Sequence, residues 1–301
     1  MSDIKIEKGI ITFFKTNQTG RVDHIENGTI IFEMGKKYGI ALINGEIMVH
    51  PQYDEIIFVN GYYRTMNYDF TCEWPLKYGL LTGEFKEIVE PQYDYIGSFI
   101  DGLAQVKSDS LYGFINQKGQ LVLEPKYRYI GKFIDGFAIV KRNFLYGFIN
   151  EKFEEVVKPI YTKVNEFQEE LAVVSDKSSG IEKFGYVDKA GNVVIPCMLE
   201  SASDFYNGLA IVKLNGKCGT IDKEAYVIAD LIYDKISKFS EGLAVAKKEF
   251  EYGYIDINGN EVTEFIYTSA SNFKNGKAVV CRAGKSFSIN KNGEEKEIFS
   301  K

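Results

Sequence analysis

Short apolar runs separated by glycine-bearing turns extend along the whole chain. Residues 112–116 form one such run, and a turn at Gly119 separates it from a second run at 121–123. Two β-rich runs around a glycine turn predict a hairpin. The continuous apolar run at 137–141 predicts a strand that is covered on both faces. We expect very little helix, because no stretch carries a sustained helical period with capping residues.

The same unit recurs along the chain at a period close to 34 residues. Each copy opens with an aromatic residue or a cysteine followed by glycine. These pairs are Tyr38-Gly39, Tyr78-Gly79, Tyr112-Gly113, Tyr146-Gly147, Phe184-Gly185, Cys218-Gly219 and Tyr252-Gly253. A fixed period of this size indicates one supersecondary unit copied many times. We therefore predict a single repeat domain over residues 1–301, with repeats that begin near 38, 78, 112, 146, 184, 218 and 252.

Further columns of equivalent residues support this register. Fourteen residues after each glycine stands Tyr53, Tyr93, Tyr127, Tyr161, Leu199, Tyr233 or Tyr267. From the second copy on, a phenylalanine follows, then a tight turn, then Ala104, Ala138, Ala172, Ala210, Ala244 or Ala278. One buried aromatic side chain removes about 150–250 Å² from water, so the aromatic columns should stabilise the contacts between units. We expect Gly113 to lie where another backbone or ring packs tightly on the strand, and the prolines at 51, 91, 125 and 159 to lie at strand ends.

The length of the unit and the two ends of the chain predict the architecture. About 34 residues suffice for a blade of four short strands. Residues 26–37 resemble the second half of a unit and residues 286–301 the first half. We therefore predict an all-β fold: a β-propeller of about eight short-strand blades, with seven intact repeats and one composite blade closed by both termini. The alternative is an open β-solenoid of β-hairpin repeats, which would require polar caps on complete end units.

Composition excludes several classes of partner. The formal charge of −6 argues against a nucleic-acid footprint, and no eighteen apolar residues run together. The first residues lack the apolar core of a secretory signal, so we expect a cytoplasmic, monomeric protein that binds neither nucleic acid nor a membrane. The four cysteines are scattered, with no spacing typical of a zinc site or a disulfide framework.

The repeat columns resemble a known family. Residues 252–256, 259–262 and 239–245 are similar to the bacterial WG repeats, which are named for a tryptophan-glycine pair. The resemblance covers about residues 26–295 and depends on the aromatic-Gly, Tyr-Asp and Phe-x-x-Gly-Leu-Ala columns together. No copy keeps the tryptophan, which favours a packing role for that position. The resemblance implies a β-repeat array that acts as an interaction module, and it brings no catalytic residues.

Two copies are longer than the others, and this difference points to a function. One copy spans 40 residues, with the surplus within 61–75, and another spans 38, with the surplus at 175–180. Both insertions fall at the same connection, so we expect them to emerge on one face and to bind a protein or peptide partner, since aromatic residues and arginine dominate binding hot spots. The candidate binding residues are Tyr63, Arg64, Tyr68, Phe70, Trp74, Asp176 and Lys177. In the alternative, Trp74 and Phe70 fold back to seal an imperfect blade.

Catalytic motifs are weak. The two histidines, His24 and His50, lack the serine or cysteine partner of a hydrolytic triad. The adjacent carboxylates 154–155 and 294–295 could serve glycoside hydrolysis, but neighbouring residues of a strand point to opposite faces. We therefore expect no enzyme, no catalytic residues, no metal and no cofactor. The alternative function is a hydrolase or small-ligand binder that uses the central channel of the ring.

One acidic column leaves two interpretations open. Asp54, Asp94 and Asp234 each follow the column tyrosine. They could surround one rim and bind a cation, or they could accept backbone hydrogen bonds within their own turns.

Overall fold

The fold is built entirely from short antiparallel strands. The computed structural model describes residues 4–13, 18–26, 28–71 and 75–298, and these residues form 33 β-strands and no helix. Within these ranges there is consequently no helix that could cross a membrane. The strands form eight small sheets, and strands adjacent in sequence pair with one another.

The sheets contain the following strands, in chain order. The first contains β1 (Ile4–Glu7), β2 (Ile10–Phe13), β3 (Gln18–Glu26), β4 (Thr29–Met34), β5 (Lys37–Leu42) and β6 (Ile47–Tyr53). The second contains β7 (Glu55–Val59), β8 (Tyr62–Tyr68), β9 (Leu76–Thr82) and β10 (Glu87–Tyr93). The third contains β11 (Tyr95–Ile96), β12 (Leu103–Ser108), β13 (Leu111–Asn116) and β14 (Leu121–Tyr127). The fourth contains β15 (Tyr129–Ile130), β16 (Phe137–Arg142), β17 (Leu145–Asn150) and β18 (Glu155–Tyr161).

The second half of the chain continues the series. The fifth sheet contains β19 (Lys163–Val164), β20 (Leu171–Asp176), β21 (Lys183–Asp188) and β22 (Val193–Leu199). The sixth contains β23 (Ser201–Ala202), β24 (Ala210–Leu214), β25 (Lys217–Ile221) and β26 (Val227–Tyr233). The seventh contains β27 (Lys235–Ile236), β28 (Leu243–Lys248) and β29 (Glu251–Asp256). The eighth contains β30 (Ser269–Ala270), β31 (Lys277–Arg282), β32 (Lys285–Asn290) and β33 (Glu295–Ile298).

The predicted all-β fold of eight small sheets is confirmed. Most sheets are four-stranded antiparallel meanders, which is the arrangement of a propeller blade. The chain divides into two compact units, residues 1–130 with β1–β15 and residues 131–301 with β16–β33.

Among the described residues, the half-repeats 26–37 and 286–301 belong to different sheets, so the composite blade predicted from the two ends is not seen in them. In the first sheet β4 pairs with β3 on one side and with β5 on the other. In the eighth sheet β33 pairs with β32. The physical reason is that the amino-terminal residues supply β1–β3, so the free edge of β4 that the composite blade required is already paired.

The repeated glycine is required by a bulge in the fourth strand. Tyr112 pairs with Tyr127 and Phe114 pairs with Leu123, so two steps along β13 correspond to four steps along the antiparallel strand β14. The extra residues of β14 therefore bulge over Gly113. A Cβ at Gly113 would lie 2.2 Å from the carbonyl oxygen of Leu123. The close approach predicted at Gly113 is therefore confirmed. Pro125, by contrast, lies inside β14 rather than at its end, because the bulge interrupts the ladder and removes the need for its N–H.

The aromatic and alanine columns form the packing between sheets, as predicted. Every residue of the tyrosine column, including Leu199, is buried, and so is every alanine of the alanine column. Tyr186 packs on Phe205 with 5.0 Å between ring centroids, and Tyr254 packs on Phe273 at 4.9 Å. The Tyr186 hydroxyl also donates a hydrogen bond to the carbonyl oxygen of Ser203 at 2.7 Å, so the phenol is satisfied in the core.

Candidate functional site

The two insertions occupy equivalent connections. Residues 69–75 join β8 to β9, and residues 177–182 join β20 to β21. Each insertion therefore links the second and third strands of its sheet. Since they belong to different units, the idea that they share one face stays a prediction.

The first insertion presents an exposed aromatic pair. Tyr68 is 52% exposed and Phe70 is 83% exposed. Their rings are stacked, with 5.7 Å between centroids and 9° between planes. Phe70 therefore does not fold back over its sheet, although the alternative in which it seals an imperfect blade required this. Trp74 lies outside the described residues.

Asp54 fixes the start of this insertion. Its Oδ2 accepts a hydrogen bond from the backbone N–H of Tyr68 at 3.0 Å, and its Oδ1 accepts one from Lys37 Nζ at 2.9 Å. Burial opposes ionisation of Asp54, but these two hydrogen bonds outweigh it and hold the pKa of the carboxyl below its ordinary value. Asp69 then accepts a hydrogen bond from the backbone N–H of Thr71 at 3.0 Å. The aromatic pair thus rises from an ordered base.

Tyr63 is not a surface residue, and its assignment as a binding anchor was wrong. Only 3% of it is exposed. Its hydroxyl is hydrogen-bonded to Thr29 Oγ1 at 2.9 Å, and its ring packs on Phe58 at 4.9 Å and on Phe85 at 5.5 Å between centroids. Side chains alternate along β8, and Tyr63 points to the face that packs against the first sheet.

Arg64 points to the other face of β8 and carries an unpaired charge. Its Nε is buried and makes no hydrogen bond, and its guanidinium forms no ion pair with the described residues. Its Cζ lies 5.9 Å from the centroid of the Tyr78 ring. Arg64 stands opposite Leu80 in the ladder. The residues at the same ladder position of the other sheets are Ile31, Gln105, Ile139, Val173, Ile211, Val245 and Val279. Arginine therefore replaces an uncharged, mostly aliphatic side chain.

A narrow cleft within the first unit opens beside Arg64. It lies between the second and third sheets, with a volume of about 20 Å³. Asn60 donates a hydrogen bond to Ser98 Oγ at 3.2 Å across the cleft. The rings of Tyr62 and Phe99, 4.7 Å apart, form its apolar wall.

The structure does not gather all predicted residues into one site. Arg64 and Tyr68 lie four positions apart on β8, which is about 13 Å along the strand. In the second unit, Asp176 accepts hydrogen bonds from the backbone N–H and the hydroxyl of Ser178, at 2.9 and 2.6 Å, and these lower the pKa of its carboxyl. Asp176 therefore orders its own turn, while Lys177 is exposed.

The acidic column forms ion pairs rather than a cation-binding rim. Each aspartate pairs with a lysine 17 residues earlier in the chain. These pairs are Lys37–Asp54 at 2.9 Å, Lys77–Asp94 at 2.6 Å and Lys217–Asp234 at 2.6 Å. Of the described residues, no group of three or more His, Cys, Asp and Glu is arranged to hold a metal ion. The 17-residue spacing was readable in the sequence, but only the strand register brings its two ends together.

Sequence reasoning also missed two exposed phenylalanines at equivalent turns of the second unit. Phe144 is 70% exposed and Phe250 is 85% exposed, each between the second and third strands of its sheet. Phe144 has a positive φ of 68°, which is rare for a bulky residue. The sixth sheet has Asn215-Gly216 at this turn. A phenylalanine where glycine is the usual choice was the available signal.

Comparisons with known proteins identify the repeat. The model of the WG containing repeat matches residues 43–69, 78–112, 112–143, 146–177, 184–218, 219–249 and 252–285. No curated protein matches the sequence. Solved structures with weak similarity include a eukaryotic initiation factor, at 10% identity and a TM-score of 0.38, covering 90% of this chain and 85% of that chain. Dihydro-heme d1 dehydrogenase NirN shows 11% identity and a TM-score of 0.33, covering 90% and 72%. Kluyveromyces lactis Hsv2p shows 9% identity and a TM-score of 0.33, covering 92% and 97%.

The boundaries of the family matches coincide with the repeat register. From residue 78 onward, each match begins within one residue of an aromatic-glycine or cysteine-glycine pair that opens a repeat. All of these glycines except Gly253 lie under the bulges that shape the sheets, and Gly253 lies against the ring of Phe265. Since the matches also cover well over half of the sequence, the chain belongs to the WG containing repeat family.

Proposed function

We propose that this chain is a non-catalytic, monomeric scaffold that binds a protein or peptide partner. The observation that carries the proposal is the stacked pair of Tyr68 and Phe70, held in solvent at the end of β8. Exposed aromatic rings on an ordered base are the side chains that most often dominate protein-binding energies.

The exposed area of this pair is large enough to matter. At about 200 Å² per aromatic side chain, exposures of 52% and 83% leave roughly 270 Å² in water. Covering that area would contribute about 6–7 kcal/mol before the costs of association. Because Asp54 already holds the backbone N–H of Tyr68, less of this gain is lost to fixing the backbone at Tyr68 on binding.

The carboxylate pairs support a non-catalytic role. Glu154 accepts a hydrogen bond from Asn150 Nδ2 at 2.8 Å, and Glu155 accepts one from Arg142 at 2.8 Å. Residues 294–295 make the equivalent contacts, at 2.7 Å each. Carboxylates held in this way order turns and strand ends rather than face one another across a substrate.

A peptide-display experiment tests the proposal. Immobilised protein is used to select binders from a random peptide library, and the selected peptides are titrated against wild type, the double variant Tyr68→Ser/Phe70→Ser, and the control Tyr226→Ser. Tyr226 is 70% exposed but lies at the turn between β25 and β26. We expect the double variant to weaken binding at least tenfold and the control to leave it unchanged. If no peptide is enriched, or if both variants bind alike, the proposed site is wrong.

A further inference from the structure

We propose that the cleft beside Arg64 receives a single carboxylate from the partner, either a side chain or a chain terminus, with an apolar group next to it. This inference rests on the proposed function and adds a second contact to it. It names the chemistry by which the first unit would select its partner.

The charge of Arg64 favours an anionic ligand. It stands at a ladder position where the other sheets carry Gln105 or aliphatic residues, and its Nε is buried without an acceptor. A buried donor of a charged group that lacks an acceptor is costly to maintain. A carboxylate is the group that arginine binds best, because its planar donors match the two oxygens.

The size of the cleft limits the ligand group that can enter it. A volume of about 20 Å³ holds one water-sized group. One carboxylate oxygen fits this space while the second stays at its mouth, whereas a phosphate would crowd two or more further oxygens at the mouth. Asn60 and Ser98 line the polar side, and the rings of Tyr62 and Phe99 line the apolar side. The ligand group should therefore combine one carboxylate with an adjacent apolar moiety.

Clefts also occur at the equivalent ladder position in the second unit. Ile211 occupies the ladder position of Arg64 and lines a wider cleft of about 600 Å³, and Val245 lines another. A cleft at this position is thus a recurring feature of the repeat. Of these three clefts, the cleft of the second sheet has a charged residue at this ladder position, whereas lysines line the other two from other positions. Arg64 therefore adds to this cleft the planar donors that suit a carboxylate.

Nuclear magnetic resonance of the arginine side chains tests the inference directly. A buried Nε–H exchanges slowly with water, so Arg64 should give a sharp 15Nε–1Hε signal, which is assigned by its loss in Arg64→Lys. The probe is sodium benzoate, because it joins one carboxylate to an apolar ring. We expect a saturable downfield shift of the Arg64 proton signal, with half-saturation on the order of 10 mM for so small a ligand. The signal of Arg21 is the internal control and should move little.

Matched titrations decide between the possible outcomes. Benzamide has the same ring without the charge, while sodium chloride and sodium phosphate supply anions of other shapes. A shift with benzoate alone supports the inference. An equal shift with chloride or phosphate, or no shift up to 100 mM benzoate, would overturn it. Peptide capture through Tyr68 and Phe70 does not need Arg64, so captured peptides without a benzoate response would reject the carboxylate site and leave the scaffold function standing.

Discussion

Replacing Arg64 by isoleucine should stabilise the protein, although it removes a charged side chain from a proposed binding site. Isoleucine already occupies the same ladder position at Ile139 and Ile211. The substitution therefore introduces no new geometry. It removes a guanidinium whose Nε is buried without a hydrogen-bond acceptor.

The magnitude follows from two opposing terms. An unsatisfied buried donor costs about 1–3 kcal/mol, and the substitution recovers this cost. The contact of the Arg64 guanidinium with the Tyr78 ring, at 5.9 Å, is lost, and such a contact contributes about 0.5–1 kcal/mol. The net effect should be a gain of about 0.5–2 kcal/mol in the free energy of unfolding, because β-branched side chains also suit a strand.

Urea denaturation measured by far-ultraviolet circular dichroism is a suitable assay, with the m-value compared between variants. Arg142→Ile is the matched control, because Arg142 makes two hydrogen bonds to Glu155, at 2.8 and 3.2 Å. Its replacement should lower the midpoint of unfolding, since both hydrogen bonds to Glu155 are lost. If Arg64→Ile also lowers the midpoint at an unchanged m-value, then Arg64 is stabilising and the reasoning about its unpaired charge is refuted.

Three further predictions concern the repeat itself. Gly147→Ala should cost at least about 2 kcal/mol, because the new Cβ would lie 2.3 Å from the carbonyl oxygen of Val157; an unchanged urea midpoint would contradict the bulge argument. Phe144→Gly should raise the melting temperature by relieving about 1 kcal/mol of strain at a φ of 68°, and would give the Asn-Gly turn favoured in hairpins; a lower melting temperature would mean that the Phe144 ring stabilises the fold. Burial raises the pKa of the core tyrosines, to about 12 for Tyr233. Because these folded-state pKa values lie above the unfolded value of about 10, their contribution to stability is complete below pH 10 and is lost as the pH rises through them. Because the chain has 20 tyrosines, the signal of these buried ones is the part of the tyrosinate absorbance that appears together with the loss of circular dichroism, in one transition well above pH 10. If the absorbance of all 20 tyrosinates is reached before the circular dichroism changes, the burial argument is refuted. The tyrosines concerned are Tyr53, Tyr93, Tyr161, Tyr186, Tyr233, Tyr254 and Tyr267.

Most of the fold could be predicted because the same physical problem is solved in every repeat. In most repeats a glycine lies under a bulge and a tyrosine is buried, at a fixed spacing from each other. Because several copies show the same spacing, a misleading residue in one copy does not change the predicted register. The ends of the chain escaped this reasoning. Residues 4–26 carry no repeat columns, so their ability to pair with β4 could not be read from the period.

The candidate site was harder to predict because it depends on strand parity. Tyr63 and Arg64 are adjacent, bulky residues that both suit a binding surface, and the sequence does not show which of the two side chains faces the first sheet. The ladder decides it: Tyr63 pairs with Leu81 on the face toward the first sheet, and Arg64 pairs with Leu80 on the face toward the third sheet. Exposure of Phe70 was predictable only as one of two alternatives, since an aromatic residue in a long connection can seal a sheet or project into solvent.

The second sheet departs most from the residue pattern of the other repeats, and the occurrence of these departures in one sheet supports a specialised role for it. The buried side-chain polar atoms left without a hydrogen bond in the described ranges are Arg64 Nε, Thr65 Oγ1 and Asp94 Oδ2. All three belong to the second sheet or follow it directly. Thr65 stands opposite Gly79, where most of the other sheets place valine, for example Val106 opposite Gly113. Each buried polar atom without a hydrogen bond lowers stability, whereas the valine and isoleucine of the other repeats would pack at these positions without that cost. Packing alone therefore does not explain the polar residues of the second sheet. The departures fall in the sheet that also carries the longest insertion and the exposed aromatic pair, which is the distribution expected if binding, rather than folding, determined these residues.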